Sequence, residues 1–142
     1  MKFRYYGISI LAMVFAGPLL ASEGDIKYRE HTMESIGGHM GAIVDIIRRD
    51  VAHTSHLPIH ANALADLAGI VPSVFPEGSG GGETEALPEI WTQPEDFAKR
   101  LETFKQATSA LKAAAASGDG VGSAVQNVGQ ACKGCHDNYR AE

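Results

Sequence analysis

The chain has two cysteines, three positions apart near its C-terminal end, and a histidine directly follows the second: Cys132-Lys133-Gly134-Cys135-His136. Two thiols at this spacing can each add across one vinyl group of a single haem, which leaves His136 under the iron. This is the c-type attachment signature. Two other readings compete with it. A thioredoxin-type dithiol opens a helix that follows a strand, whereas here a helical pattern runs into Cys132. Structural zinc wants four ligands, and there is no second cysteine pair. Small mitochondrial-type cytochromes carry the motif near the N-terminus, so its late position points to a different architecture.

At the other end, Lys2 and Arg4 precede an apolar run from Ile8 to Leu20, and Ala21 and Ser22 follow. This is the layout of a secretory signal peptide, with cleavage expected after Ala21 and the domain expected over residues 22–142. The run is short for a membrane span, which needs about 20 apolar residues; an uncleaved anchor is the rival reading. No cysteine follows the run to accept a lipid. Export suits the motif, since haems of this type are attached outside the cytoplasm, and it implies a periplasmic protein. Loss of Lys2 and Arg4 takes the formal charge from −5 to −7. So acidic a chain gains nothing by neutralising phosphates, which argues against nucleic acid. A basic patch on a redox partner protein would suit it.

The rest reads as four helices. The first, Asp25 to Arg49, has Ile26, Met33, Ile36, Met40, Ile43 or Val44, and Ile47 in steps of three and four, one apolar stripe. Gly37, Gly38 and Gly41 interrupt it, each at a cost of about 1 kcal/mol against Ala; close approach of another helix or of a flat cofactor would explain them. The second starts near Pro58, with Ala63, Leu64, Leu67 and Ile70 inward, and Pro72 and Pro76 end it. A glycine-rich segment from Glu77 to about Thr92 lacks the strand-before, helix-after setting of a phosphate loop and reads as a flexible connection. Its end, Ala86 to Trp91, reads as anchored, with Ile90 and Trp91 inward. The third helix opens at Pro94 and carries the seam Phe97, Leu101, Phe104, Thr108, Leu111 and Ala115. Gly118 and Gly120 make a turn. The fourth sets Val121, Val125, Val128, Cys132 and Cys135 on one stripe, so both sulfurs face inward. No segment alternates with period two. The expected fold is all-α, an antiparallel four-helix bundle.

Three stretches give this pattern a family likeness: Ile26 to Met33 (IKYREHTM), Pro88-Glu89-Ile90-Trp91, and Ala131 to Arg140 around the haem motif. Together they resemble the class II c-type cytochromes, the cytochrome c′ and cytochrome c-556 family, over essentially the whole mature chain. The resemblance implies one covalent haem c held between helices and often a homodimer. It implies an axial pair of His136 and Met33, because the family's distal position lies five residues after the tyrosine of the Tyr28-Arg29 pair. By the same register Arg29 and Glu30 lie near the haem edge, where Arg29 could pair with a propionate. Arg140, one turn after His136, could lie on the proximal side; a solvated surface arginine is the other reading of each.

Met33 is expected on the iron; the rival reading is a core methionine packed without a bond to it. Met40 lies seven residues further, about 10 Å along the helix, and cannot share the site. His31 and His39 fall off the Met33 face. His53, His56 and His60 cluster near the first interhelical loop and read as solvated rather than metal-binding. The expected function, with Met33 on the iron, is that of a periplasmic one-electron carrier with a raised potential, not an enzyme. With Met33 off the iron, the chain is a five-coordinate protein that binds or senses NO or CO. A peroxidase lacks its distal His/Arg pair. Gly37, Gly41 and Ala42 would allow a close homodimer through the first helix.

Overall fold

The computed structural model describes residues 19–141, with side chains from Glu23 onward. The signal-peptide assignment to residues 1–21 therefore lies almost wholly outside the described residues. The helices are α1 (Leu19–Arg48), α2 (Leu57–Ile70), α3 (Glu89–Thr92), α4 (Pro94–Ser117) and α5 (Val121–Tyr139). α3 is a single turn; the other four form the bundle.

The pairings show neighbours running antiparallel. On α1 and α2, His39 meets His60, while Arg29 reaches Val74 just past the end of α2. On α2 and α4, Lys112 faces Asp66, while Phe97 near the start of α4 meets Phe75 past the end of α2. On α4 and α5, Arg100 reaches Gly134 and Asp96 meets Tyr139. α1 packs along α2, α2 along α4, and α4 along α5, whereas α1 and α5 touch only sparsely. The bundle is closed on three sides and parted on the fourth.

Each bundle helix contributes one large, fully buried aliphatic to the centre: Ile43, Leu64, Leu111 and Val128. The α4 seam forms as its period requires, with Phe97, Phe104, Thr108, Leu111 and Ala115 buried. Thr108 satisfies its hydroxyl within its own helix, donating to the carbonyls of Phe104 and Lys105. The inward face of α2 differs from expectation. Ala61, Leu64 and Ala68 are buried, and Ile70 is 40% exposed. α2 lies between two neighbours, so small alanines, not the largest aliphatics, set its contact face. On α1, Ile46 is buried and Ile47 lies at the surface. α2 ends at Ile70, just before Pro72, and a 3-10 turn, Val71–Val74, follows it and buries Val71 and Val74. The α4–α5 turn uses Gly118 (φ 82°) and Gly120 (φ 69°), left-handed conformations that cost glycine nothing.

The glycine-rich connection is pinned, not flexible as its composition suggested. Arg29, buried on α1, donates to Ser79 Oγ (3.0 Å), the Ser79 carbonyl (3.1 Å), Thr84 Oγ1 (2.9 Å) and the Val74 carbonyl (3.4 Å). Its guanidinium also lies over the rings of Phe75 and Trp91. Ser79 is buried in consequence. A Cβ on Gly80 would stand 2.7 Å from the Trp91 ring, so only glycine lets the loop lie so close. Residues 85–87 then pair with the end of α5: Leu87 N–H donates to the Tyr139 carbonyl and Ala141 N–H to the Glu85 carbonyl. Arg29→Ala should cost at least about 1.5–3 kcal/mol, the worth of hydrogen bonds made by a charged group. Limited proteolysis should then cut first between residues 77 and 84.

Candidate haem site

Where α1 and α5 part, a cavity of about 630 Å³ opens between them. It falls within the roughly 300–1,000 Å³ of ligand and cofactor pockets. α1 contributes Met33, Ile36 and Met40 to its wall, α4 contributes Phe97, Leu101 and Phe104, and α5 contributes Ala131 and the Cys132/Cys135/His136 face. The pinned loop and strap close one end through Phe75, Ala86 and Ile90. Every residue expected at the haem (Cys132, Cys135, His136, Met33, Arg29, Glu30 and Arg140) lines this single cavity. Met40 lines it as well, and so does Gly37, which has nothing within 4 Å of a notional Cβ. Neither Gly37, Gly38 nor Gly41 is pressed against another helix of this chain.

The two thiols are free and half-buried. Burial pushes the Cys132 thiol up and the Cys135 thiol up to about 11, with Arg100 pulling Cys135 the other way. Redox dithiols have lowered values, set by a helix N-terminus or a nearby cation. These sulfurs sit late in α5, far from its positive end, and stay protonated at neutral pH. The dithiol-exchange reading therefore has no support in the geometry. His136 is exposed at the cavity mouth. Partial burial, then the charge of Arg140, holds its pKa below the usual value. The imidazole is thus neutral at pH 7, the state that offers a lone pair to a metal. Apolar walls, paired neutral thiols and a neutral imidazole fit a c-type haem.

The cationic residues around the cavity have partners within the protein. Arg29 spends four of its five N–H groups on the loop, leaving Nε–H. Arg140 Nε donates to Glu85 at 2.7 Å on the surface. Two residues at the site were missed in the sequence. Arg100 donates to the Gly134 carbonyl inside the haem motif (2.8 Å) and to Asp96 (3.1 Å), holding α4 against α5. Tyr139 is buried, packs edge-on against Phe97, and donates its hydroxyl to Asp96 Oδ2 at 2.8 Å. The Asp96/Arg100 spacing of one turn was visible, but their reach to α5 was not.

This anchor gives a pH prediction. The hydrogen bond from Tyr139, then that from Arg100, holds the Asp96 carboxyl below its ordinary value. A carboxyl lowered by folding stabilises fully above its unfolded pKa of about 3.9, and the contribution is lost as pH falls through the folded pKa. Thermal melts should show wild type above Tyr139→Phe at pH 7, with the part of that gap due to Asp96 starting to shrink below about pH 4 and vanishing only once pH has fallen through the lowered folded pKa. An unchanged gap at low pH would show that the ring alone anchors α5.

Comparison with known proteins places the chain. The family model described as Cytochrome C′ matches residues 25–140. A cytochrome c′ of Pararhodospirillum photometricum is 32% identical over 83% of this chain and 97% of its own length. A cytochrome c-556 of Agrobacterium tumefaciens is 32% identical over 82% of this chain and 97% of its own. Among solved structures, the nitric oxide complex of the L16A mutant of cytochrome c prime from Alcaligenes xylosoxidans superposes with a TM-score of 0.79 at 29% identity, covering 90% of this chain and 98% of that one. The four-helix bundle is thus shared with proteins of this name, and the chain belongs to the cytochrome c′ family, whose members bind one covalent haem c.

Proposed function

We propose that this is an exported, periplasmic haem c protein that binds a small diatomic gas. Cys132 and Cys135 would hold the haem through thioethers, with His136 as the iron's protein ligand. The observation that carries the reading is the single cavity shared by the Cys132/Cys135/His136 face of α5 and the Met33 face of α1. The family supports it, as does the similar Alcaligenes xylosoxidans protein whose structure is a nitric oxide complex.

Each residue has a stated task. Haem c, when bound, supplies a redox-active iron with a coordination position open to a gas. Each cysteine would hold the haem by adding its S–H across one vinyl group, sulfur to one carbon and hydrogen to the other. His136, neutral, would offer its lone pair to the metal. Ile36, Leu101 and Phe104 keep water out of the site. Arg29, through Nε–H, Glu30 and Arg140 would border the haem edge. Met33 stands on the helix facing the motif, so its flexible side chain must yield to an incoming gas. Cleavage after Ala21 would leave residues 22–142 as the mature domain. A homodimer through α1 would use the face where Gly38 and Gly41 are exposed.

A second reading has its own support. Met33 lines the same cavity as His136, and one relative is named cytochrome c-556. With its thioether on the iron, the protein would be a one-electron carrier for redox partner proteins, its ferrous state favoured by the soft sulfur. Titrating the reduced holoprotein with NO separates the two. Uptake of one equivalent supports gas binding. No uptake under saturating NO would replace it with the carrier reading.

A further inference from the structure

Away from the cavity, α1 and α2 bring two imidazoles together. His39 Nδ1 and His60 Nδ1 lie 3.0 Å apart, with ring centroids 5.3 Å apart and planes inclined by 56°. Both rings are half-buried. We propose that His39 and His60 form a divalent transition-metal site, taking Zn²⁺ or a similar ion through their two Nδ1 atoms and completing its shell with water.

The geometry is close to what the ion needs. Zinc–imidazole bonds of about 2.0–2.1 Å at a tetrahedral angle set the two nitrogens about 3.3 Å apart. The observed pair has to open by about 0.3 Å, and both rings have to turn so that their lone pairs meet at one point beside the N–N line. Two facing nitrogens with a single proton between them also make a constrained hydrogen bond, since only one ring can donate. Metal resolves this: the Nδ1 proton of one ring moves to its Nε2 through water, and both Nδ1 lone pairs then point at the ion. No proton need leave a pair that is already neutral. Among the described residues, no group of three His, Cys, Asp or Glu stands ready to hold an ion. Two protein ligands plus water therefore make an exchangeable site, unlike a closed four-ligand structural one. His53 and His56, stacked at 4.9 Å and exposed at the start of α2, are not part of it.

The test is Zn²⁺ titration of the haem-loaded protein by calorimetry. One equivalent should bind to wild type and to the His53→Ala/His56→Ala double variant. Losing a direct ligand should weaken binding by more than the roughly 10- to 100-fold that losing an outer partner costs, so His39→Gln and His60→Gln should each abolish it. Imidazole ¹⁵N NMR of the wild type checks this without mutation: Zn²⁺ should turn both His39 and His60 into Nε2–H tautomers and leave His31 unchanged. No binding, binding that survives in both single variants, or binding lost in the double variant would overturn the site.

Discussion

Cys132→Ser/Cys135→Ser protein, exported and purified, should give up all of its haem to acidified organic solvent, while wild type gives up none. The reason is chemical: a serine hydroxyl does not add to a vinyl group under conditions where a thiol does, so only His136 would retain the haem. The intact mass of wild type should exceed that of the polypeptide by one haem, and the variant's should not. A second effect should accompany the first. The cavity of about 630 Å³ lies between α1 and α5, which hardly touch otherwise. At about 24 cal/mol per Å³, leaving such a space unfilled costs up to about 15 kcal/mol, an upper limit because the cavity is partly open. That ceiling is comparable with the roughly 5–15 kcal/mol that holds a whole domain. The haem is therefore part of the core, and the variant should melt far below wild type once its haem is extracted. A variant that keeps its haem through extraction would remove the cysteines from the site.

Met33→Ala should speed gas binding. A gas entering a packed pocket must push the Met33 side chain aside, and overfilling a packed site costs about 1–3 kcal/mol. Removing the side chain should raise the CO association rate of the ferrous protein by about 5- to 150-fold, measured by stopped flow. Met33→Leu, similar in volume but without sulfur, should stay near wild type. The carrier reading predicts another pattern: both variants would lose a low-spin spectrum, and Leu would behave like Ala. The pair of substitutions therefore separates obstruction by bulk from ligation by sulfur.

What could be read in the sequence and what could not follows from the range of each interaction. The motif at Cys132–His136 was legible because its parts lie within about one helical turn. The α4 seam was legible because a steady period over six positions leaves one choice of face. Met33 was brought into register with His136 by family resemblance, and both line one cavity. The face of α2 was misjudged because size alone does not rank Ala61 and Ala68 above Ile70 when a helix has two neighbours. The loop was misjudged because its order comes from Arg29, some 50 residues earlier, and not from its own composition. Arg29 was read as an arginine for the haem edge, yet most of its donors serve Ser79, Thr84 and Val74. His39 was set aside as off the Met33 face, which is correct; its partner His60 depends on how α1 and α2 are phased against each other. The Tyr139–Asp96 contact likewise joins residues 43 positions apart, on α5 and α4.

An optical spectrum of the reduced holoprotein, recorded before and after CO is admitted, tests the central claim most directly. A position open to gas predicts a high-spin ferrous spectrum that converts completely on adding CO. A low-spin ferrous spectrum that CO leaves unchanged would contradict it and put Met33 on the iron.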